Sequence, residues 1–185
     1  MTFLRLALVA AGLCAASAAR AEKWKIDPAQ SSLTFAGTQA GEKFTGKFSR
    51  FSAAISLDPQ NLAAAHIEVT VDVASAVTGD RQRDEALPGK DWFDVKKFPQ
   101  ARFVSNVVRK VGDSYAADGD LTLRGVTKPV RLKFTLRIEG NRAEAKGHAQ
   151  LMREDFGVGK GEWNSDQWVA FEVGVDFDVK AVRAP

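Results

Sequence analysis

Val169-Ala170-Phe171-Glu172-Val173-Gly174-Val175-Asp176-Phe177-Asp178-Val179-Lys180 is the stretch that decides the fold. Its odd-numbered residues are all apolar, and most of its even-numbered ones are charged or small. Side chains alternate between the two faces of a β-strand, so this period of two marks a strand with one dry face and one wet face. Val130, Leu132, Phe134, Leu136 and Ile138 repeat the pattern against Arg131, Lys133, Thr135 and Arg137. Ile67, Val69, Val71 and Val73 repeat it against Glu68, Thr70 and Asp72.

Weaker strands fill the intervals. Ser32 to Gly37 carries Leu33 and Phe35. Phe44 to Leu57 is long, and its parity slips between Phe48 and Phe51, which predicts a bulge or bend there. Ala101 to Val108, Ala116 to Arg124 and Arg142 to Met152 complete the set. Gly125-Val126-Thr127 and Gly140-Asn141 read as tight turns, and strands joined by such turns are antiparallel neighbours. The expectation is all-β, a meander of eight to nine strands.

Thr78 to Gln100 breaks the pattern with a polar, irregular run containing Pro88-Gly89 and Pro99. Asp80 is placed to cap a short helix through Leu87. Asp91, with Asp94 three residues on, is placed to cap another carrying Trp92 and Phe93. An excursion of this kind in a meander predicts a lid over one end of a barrel.

Alternation leaves three questions open. Many antiparallel strands with one wet face make either a sandwich or a closed barrel, and closure removes the edges that recruit other chains. Eight strands hold either packed side chains or one slender ligand. The strand from Arg142 to Met152 presents little bulk on its apolar face, with Ala145, Gly147 and Ala149 in succession, which either leaves space or makes room for bulky neighbours. Nor does alternation say which face is inside: an outer-membrane barrel turns its apolar face to lipid.

The N-terminus predicts export. A short basic start ending at Arg5 leads into an apolar run from Leu6 to Ala19, and Ala19-Arg20-Ala21 is a small-x-small cleavage site. The run is shorter than the roughly 20 residues a membrane span needs. Residues 1–21 are expected to be a cleaved signal peptide and residues 22–185 a single domain. Removing 21 residues from 185 leaves 164, and removing Arg5 and Arg20 from 26 basic residues leaves 24 against 23 acidic ones. The mature formal charge is therefore +1, with the signs interspersed, and no basic stripe suggests nucleic acid. The one cysteine, Cys14, lies in the discarded segment; a lipoprotein would want a small residue before it, and Leu13 stands there. The mature fold has no thiol for disulfides or metal.

Sequence motifs for catalysis are sparse. His66 and His148 fall at outward positions of their strands, without partners at metal-ligand spacing. Gly157-x-Gly159-x-Gly161 lacks the Lys-Ser/Thr ending of a phosphate loop and reads as a hairpin turn. A Ser-His-Asp set assembled from distant strands is the catalytic arrangement the pattern leaves open.

An ordered set of short motifs adds a resemblance. Trp24-Lys25-Ile26-Asp27, Ser31-Ser32-Leu33-Thr34-Phe35, Gly46-Lys47-Phe48 and Ser75-Ala76-Val77-Thr78-Gly79 open the mature chain. Asp91-Trp92-Phe93-Asp94, Phe98-Pro99 and Ala101-Arg102-Phe103 follow. Gly119-Asp120-Leu121-Thr122-Leu123-Arg124-Gly125-Val126-Thr127-Lys128-Pro129-Val130 and Arg153-Glu154-Asp155-Phe156-Gly157-Val158-Gly159 close the series. This string resembles the YceI family of polyisoprenoid-binding proteins over essentially the whole mature chain. Trp92-Phe93 stands where many relatives carry Phe-Phe.

The resemblance implies a periplasmic, lipocalin-like antiparallel barrel of about eight strands with short helices in its excursion. Its interior would hold an isoprenoid lipid, a polyprenyl phosphate or quinone type, and it would be a carrier and not an enzyme. Phe35, Phe48, Phe93, Phe103 and Phe156 are the candidate lipid-lining residues. Arg81, Arg83, Asp84 and Asp94 are the candidates for the head group at the mouth. No metal or further cofactor is expected. Gly157 to Trp163 also resembles a subgroup associated with membrane cytochromes of the b561 type. That implies, as the alternative, an enzyme or redox-linked accessory acting on an isoprenoid quinone. Transient contact with a membrane or such a cytochrome is the expected partnership, and a dimer stays open.

Overall fold

A computed structural model describes residues 22–184. The signal-peptide reading of residues 1–21 and Cys14 lies outside them. Eleven strands follow in chain order: β1 (Lys23–Ile26), β2 (Ser32–Gln39), β3 (Glu42–Phe48), β4 (Phe51–Ser56), β5 (His66–Asp72), β6 (Ala76–Val77), β7 (Gln100–Val111), β8 (Ser114–Leu123), β9 (Val126–Glu139), β10 (Arg142–Met152) and β11 (Glu172–Arg183). One α-helix, α1 (Arg81–Ala86), and a few single 3₁₀ turns complete the described residues.

The register reduces these eleven strands to eight walls. β1 lies against Ala181–Arg183 of β11 and β2 against Gly174–Asp178, so the two are halves of one wall interrupted at 27–31. β3 and β4 form the next wall, pairing with β2 and β1 respectively. β5 and β6 form the third, on β4 and β3. From β7 to β11 each wall is a single strand paired antiparallel to the one before it. Because β11 also pairs with β1 and β2, the meander closes on itself. The expected antiparallel barrel of about eight strands is the fold.

Each interruption has a local cause. The parity slip between Phe48 and Phe51 is the gap at Ser49-Arg50, where Ser75 fills the broken ladder. Its backbone carbonyl accepts from the Ser49 N–H and its Oγ from the Arg50 N–H at 3.1 Å. With two residues spent in the gap, Phe48 and Phe51 both face the interior. A second irregularity shifts the β7–β8 register between Val104 and Val107. Buried Ser105 satisfies it, donating to the Asp118 carbonyl at 2.6 Å and accepting from the Val107 N–H.

The defining stretch departs from expectation at its start. β11 begins at Glu172, not Val169, and continues to Arg183. Val169 still points inward through an isolated bridge to Gln39. Phe171 leaves the alternation and lies beneath the guanidinium of Arg153, 5.1 Å from it. Further on, Val173, Val175, Phe177 and Val179 face the interior as the period predicts.

Outside, the walls are charged. Glu68 pairs with Arg102, Asp118 with Arg109 and Arg131, and Glu144 with Lys146 and Lys180. The two lysines hold the Glu144 carboxyl down at about 2. An apolar face turned inward and a salt-bridged face turned outward is the reverse of a lipid-embedded barrel.

Candidate functional site

The barrel interior is not filled. A cavity of about 280 Å³ runs through it, and its exposed lining is wholly apolar. One physical reason lies in the glycines. Gly46 of β3 sits opposite Phe35 of β2, and a Cβ there would meet the Phe35 ring at 2.3 Å. Gly147 of β10 sits between Phe134 and Phe177, and a Cβ there would come within 2.4 Å of the Phe177 ring. The rings therefore lie against bare backbone at the wall, an aromatic cover for a strand glycine. Rings laid on the wall leave the axis open. The thin strand β10 thus does both things its composition allowed, since Gly147 seats neighbouring rings while Ala143, Ala145 and Ala149 face the cavity.

One end is a packed floor. Trp24, Leu57, Ala65, Ile67, Phe103, Val108, Tyr115, Ala117, Phe134 and Ala181 form one buried cluster. The Trp24 indole N–H donates to the Leu57 carbonyl at 2.8 Å, so the ring is buried with its polar atom satisfied. Tyr115 stacks on Phe134 at 5.5 Å between centroids.

Two segments cover the other end. The first is the expected excursion. Asp80 caps α1, accepting from the Arg83 N–H at 2.9 Å. Asp84 turns back and accepts from the Thr78 N–H and hydroxyl, both at 2.7 Å, and from the Gly79 N–H at 3.1 Å. These donors, Thr78 first, hold its carboxyl below the usual carboxylate range. The second helix expected after Asp91 does not form; residues 91–93 and 95–97 are turns on either side of Asp94, which has φ 50° and its N–H bonded to the Gly89 carbonyl. Leu87, Trp92 and Phe93 of this segment project into the cavity.

The second cover, residues 153–171 between β10 and β11, is more than the hairpin turn its glycines suggest. Its centre is Arg153, only 4% exposed. The guanidinium donates five hydrogen bonds to backbone carbonyls: Nε to Ala170, Nη1 to Val158 and Gly159, and Nη2 to Ser165 and Val169. That exhausts its donors. Burial pushes its pKa down, opposed by Glu154 and Asp166. Gly159 is required here, because its φ is +82° and a Cβ would meet Arg153 Nη1 at 2.1 Å. The two covers are knitted together where the Asp91 carbonyl accepts from the Gly159 and Lys160 N–H groups and Trp92 packs 5.7 Å from Trp163.

The five aromatic residues singled out in the sequence all line this cavity. Phe35, Phe48 and Phe93 form a chain of ring contacts at 5.1 and 6.1 Å. Phe103 stands in the floor cluster, and Phe156, from the second cover, is almost wholly buried. Sequence reasoning missed Phe44, Leu87, Trp92, Val158 and Val169. Val158 belongs to a segment without period and stands between Gly157 and Gly159, whereas Val169 heads the alternating stretch itself.

The head-group candidates separate. A vestibule of about 70 Å³ adjoins the cavity and shares the walls Phe44, Leu87, Trp92 and Val169 with it. Its polar side chains are Gln39, Gln82 and Arg83. Arg83 lies 4.6 Å over the Phe44 ring and donates from Nη1 to Gln39 Oε1 at 2.9 Å. Arg81 instead points to solvent and pairs with Glu85 at 2.8 Å. Asp84 is engaged by Thr78 and Gly79, and Asp94 lines neither space.

His66 and His148 lie on the outer face, bonded to Asn106 and Asp176 at 2.7 and 2.8 Å. Among the described residues no group of three His, Cys, Asp or Glu side chains is placed to hold a metal ion, and no helix is long and apolar enough to cross a membrane.

A family model for the YceI-like domain matches residues 24–181. The chain belongs to the YceI-like family. A UPF0312 protein of Photorhabdus laumondii is 38% identical over 150 residues, covering 76% of this chain and 78% of the relative. A UPF0312 protein of Yersinia pestis is 39% identical over 119 residues, 61% of this chain and 62% of its own length. Among solved structures, BcnA of Burkholderia cenocepacia superposes with a TM-score of 0.81 at 35% identity, covering 85% of this chain and 99% of BcnA. A polyisoprenoid binding domain from Saccharophagus degradans, implicated in plant cell wall breakdown, gives 0.69 at 18% identity over 88% of this chain and 99% of that one. At those identities the YceI-like barrel is common to this chain and both structures.

Proposed function

We propose that this YceI-like protein is a periplasmic carrier that holds one long-chain isoprenoid lipid, of the polyprenyl or quinone type, and performs no catalysis. The observation that carries the reading is the unfilled, wholly apolar interior of a closed and covered barrel. The structural likeness to a polyisoprenoid binding domain supports the lipid class, and the N-terminal basic, apolar and Ala-Arg-Ala pattern supports export. A wall strand of 12 residues such as β11 is roughly 40 Å long, so the interior suits a slender chain better than a compact ligand. Phe35, Phe48, Phe93, Phe103 and Phe156 contact the chain, and Arg83 with Gln39 and Gln82 receives the polar end. Of the four charged candidates, we assign only Arg83 to it.

Energetics make the binding reversible. Each CH₂ moved out of water contributes about 0.8 kcal/mol, which for a long chain exceeds the practical affinity ceiling of roughly 18–21 kcal/mol. A membrane lipid is already out of water, so its apolar transfer is nearly neutral. Selectivity then resides in cavity shape and in the vestibule. Protein purified without detergent should release an apolar molecule on organic extraction, identifiable by mass spectrometry. Recovery of empty protein from repeated preparations of cells rich in such lipids would overturn the reading.

A further inference from the structure

We propose that the end of the barrel carrying Trp168 is a membrane-docking face, on which the protein rests while its lipid passes through the vestibule. The inference rests on the carrier reading above. Trp168 is 57% exposed, the largest apolar side chain left in water among the described residues. Its position is fixed. The Trp168 carbonyl accepts from the Ala40 N–H at 2.7 Å, Val169 bridges to Gln39, and the Ala170 N–H donates to Thr38 at 2.9 Å. The ring therefore projects from a backbone pinned to the end of β2.

The next residue, Val169, lines both the cavity and the vestibule, whereas Trp168 lines neither. An exposed indole thus stands one residue from the wall shared by both spaces. Indole rings settle at the head-group level of a bilayer, with an apolar body and a polar N–H. A long apolar chain gains nothing by crossing water between bilayer and cavity, so the mouth must meet the surface.

Charge near the ring is mixed. The β2–β3 hairpin places Glu42 opposite Gln39 and Lys43 opposite Thr38, and Asp166 lies two residues before the ring. That surface offers no single-signed patch for anionic lipid, so the indole, and not Coulomb attraction, supplies the contact.

The test follows uptake of a long-chain isoprenoid quinone by the mature chain from phosphatidylcholine vesicles, with or without phosphatidylglycerol. Trp168→Ala should slow uptake about tenfold, the scale set by partial burial of one large side chain. Final occupancy should stay unchanged, Trp168→Phe should recover most of the rate, and salt should matter little. Equal rates for wild type and Trp168→Ala would overturn the proposal. So would a rate that needs phosphatidylglycerol and is abolished by salt, which would move docking to another, charged surface. Loading from detergent solution but never from vesicles would overturn it in favour of a protein delivery partner. A wild-type chain that takes quinone from neither source would instead overturn the carrier reading itself.

Discussion

Arg153 shows how a single side chain organises an aperiodic segment. Five carbonyls from residues 158, 159, 165, 169 and 170 converge on one guanidinium, and the Trp92 and Phe171 rings lie 5.7 and 5.1 Å from it. The second cover has no strand ladder for those carbonyls, so the side chain takes the place of a backbone partner. Replacing it with an apolar residue removes the donors and leaves buried acceptors behind, each worth about 1–3 kcal/mol when unsatisfied. Arg153→Leu should lower the stability of the chain by roughly 3–5 kcal/mol, the scale for breaking a buried polar network. Denaturant unfolding measures this directly. Arg153→Lys should recover little, since an ammonium offers three donors and no planar fork.

At the scale of elements, the walls were legible and the covers were not. Strands reveal themselves because period two reports which face is dry, and β10 matches its expected bounds at both ends. Even the break at Ser49-Arg50 was written as a parity slip. α1 was legible too, since Asp80 is an N-cap whose side chain meets the Arg83 N–H. The turn after Asp91 and the segment around Gly159 were not, because their backbones bond to distant carbonyls and to Arg153, which no local pattern encodes. The vestibule was half legible: Arg83 stood out as a charge on the excursion, but its neighbours Gln39 and Trp163 come from elsewhere in the chain. α1 itself hangs on Asp84. Its carboxyl is held below its ordinary pKa, so its contribution is present above about pH 4, where the unfolded group is ionised, and is lost as pH falls through the lowered value. Acidification should therefore loosen α1 while the barrel persists. Asp84→Asn, which cannot serve both Thr78 and Gly79 as an acceptor, should do the same at neutral pH. Faster amide exchange confined to residues 78–87 is the expected signature, and an unchanged exchange pattern would count against this role.

The whole molecule is built around two buried clusters, one in the floor and one beneath the covers, with the cavity between them. The floor lines the cavity too, but it is held by wall strands and by the Trp24 indole, so it has partners of its own whatever occupies the interior. The covers depend on it more. Phe93, Phe156 and Val158 line the cavity from segments without ladders of their own, and under the proposed carrier function a chain in the interior would supply their missing contacts. A ligand that binds only the folded state stabilises it by mass action, about 2.7 kcal/mol when present at 100 times its Kd. With one cysteine in the whole sequence, the chain forms no internal disulfide, and nothing covalent masks that term. Removing the lipid should thus lower the melting temperature, and the loss should not be uniform. Amide exchange should rise in residues 78–99 and 153–171, while β7 to β10 keep their protection. If protection fell equally in the floor strands, the lipid would be part of the barrel's own core, and the division into a self-sufficient floor and a ligand-dependent cover would be wrong.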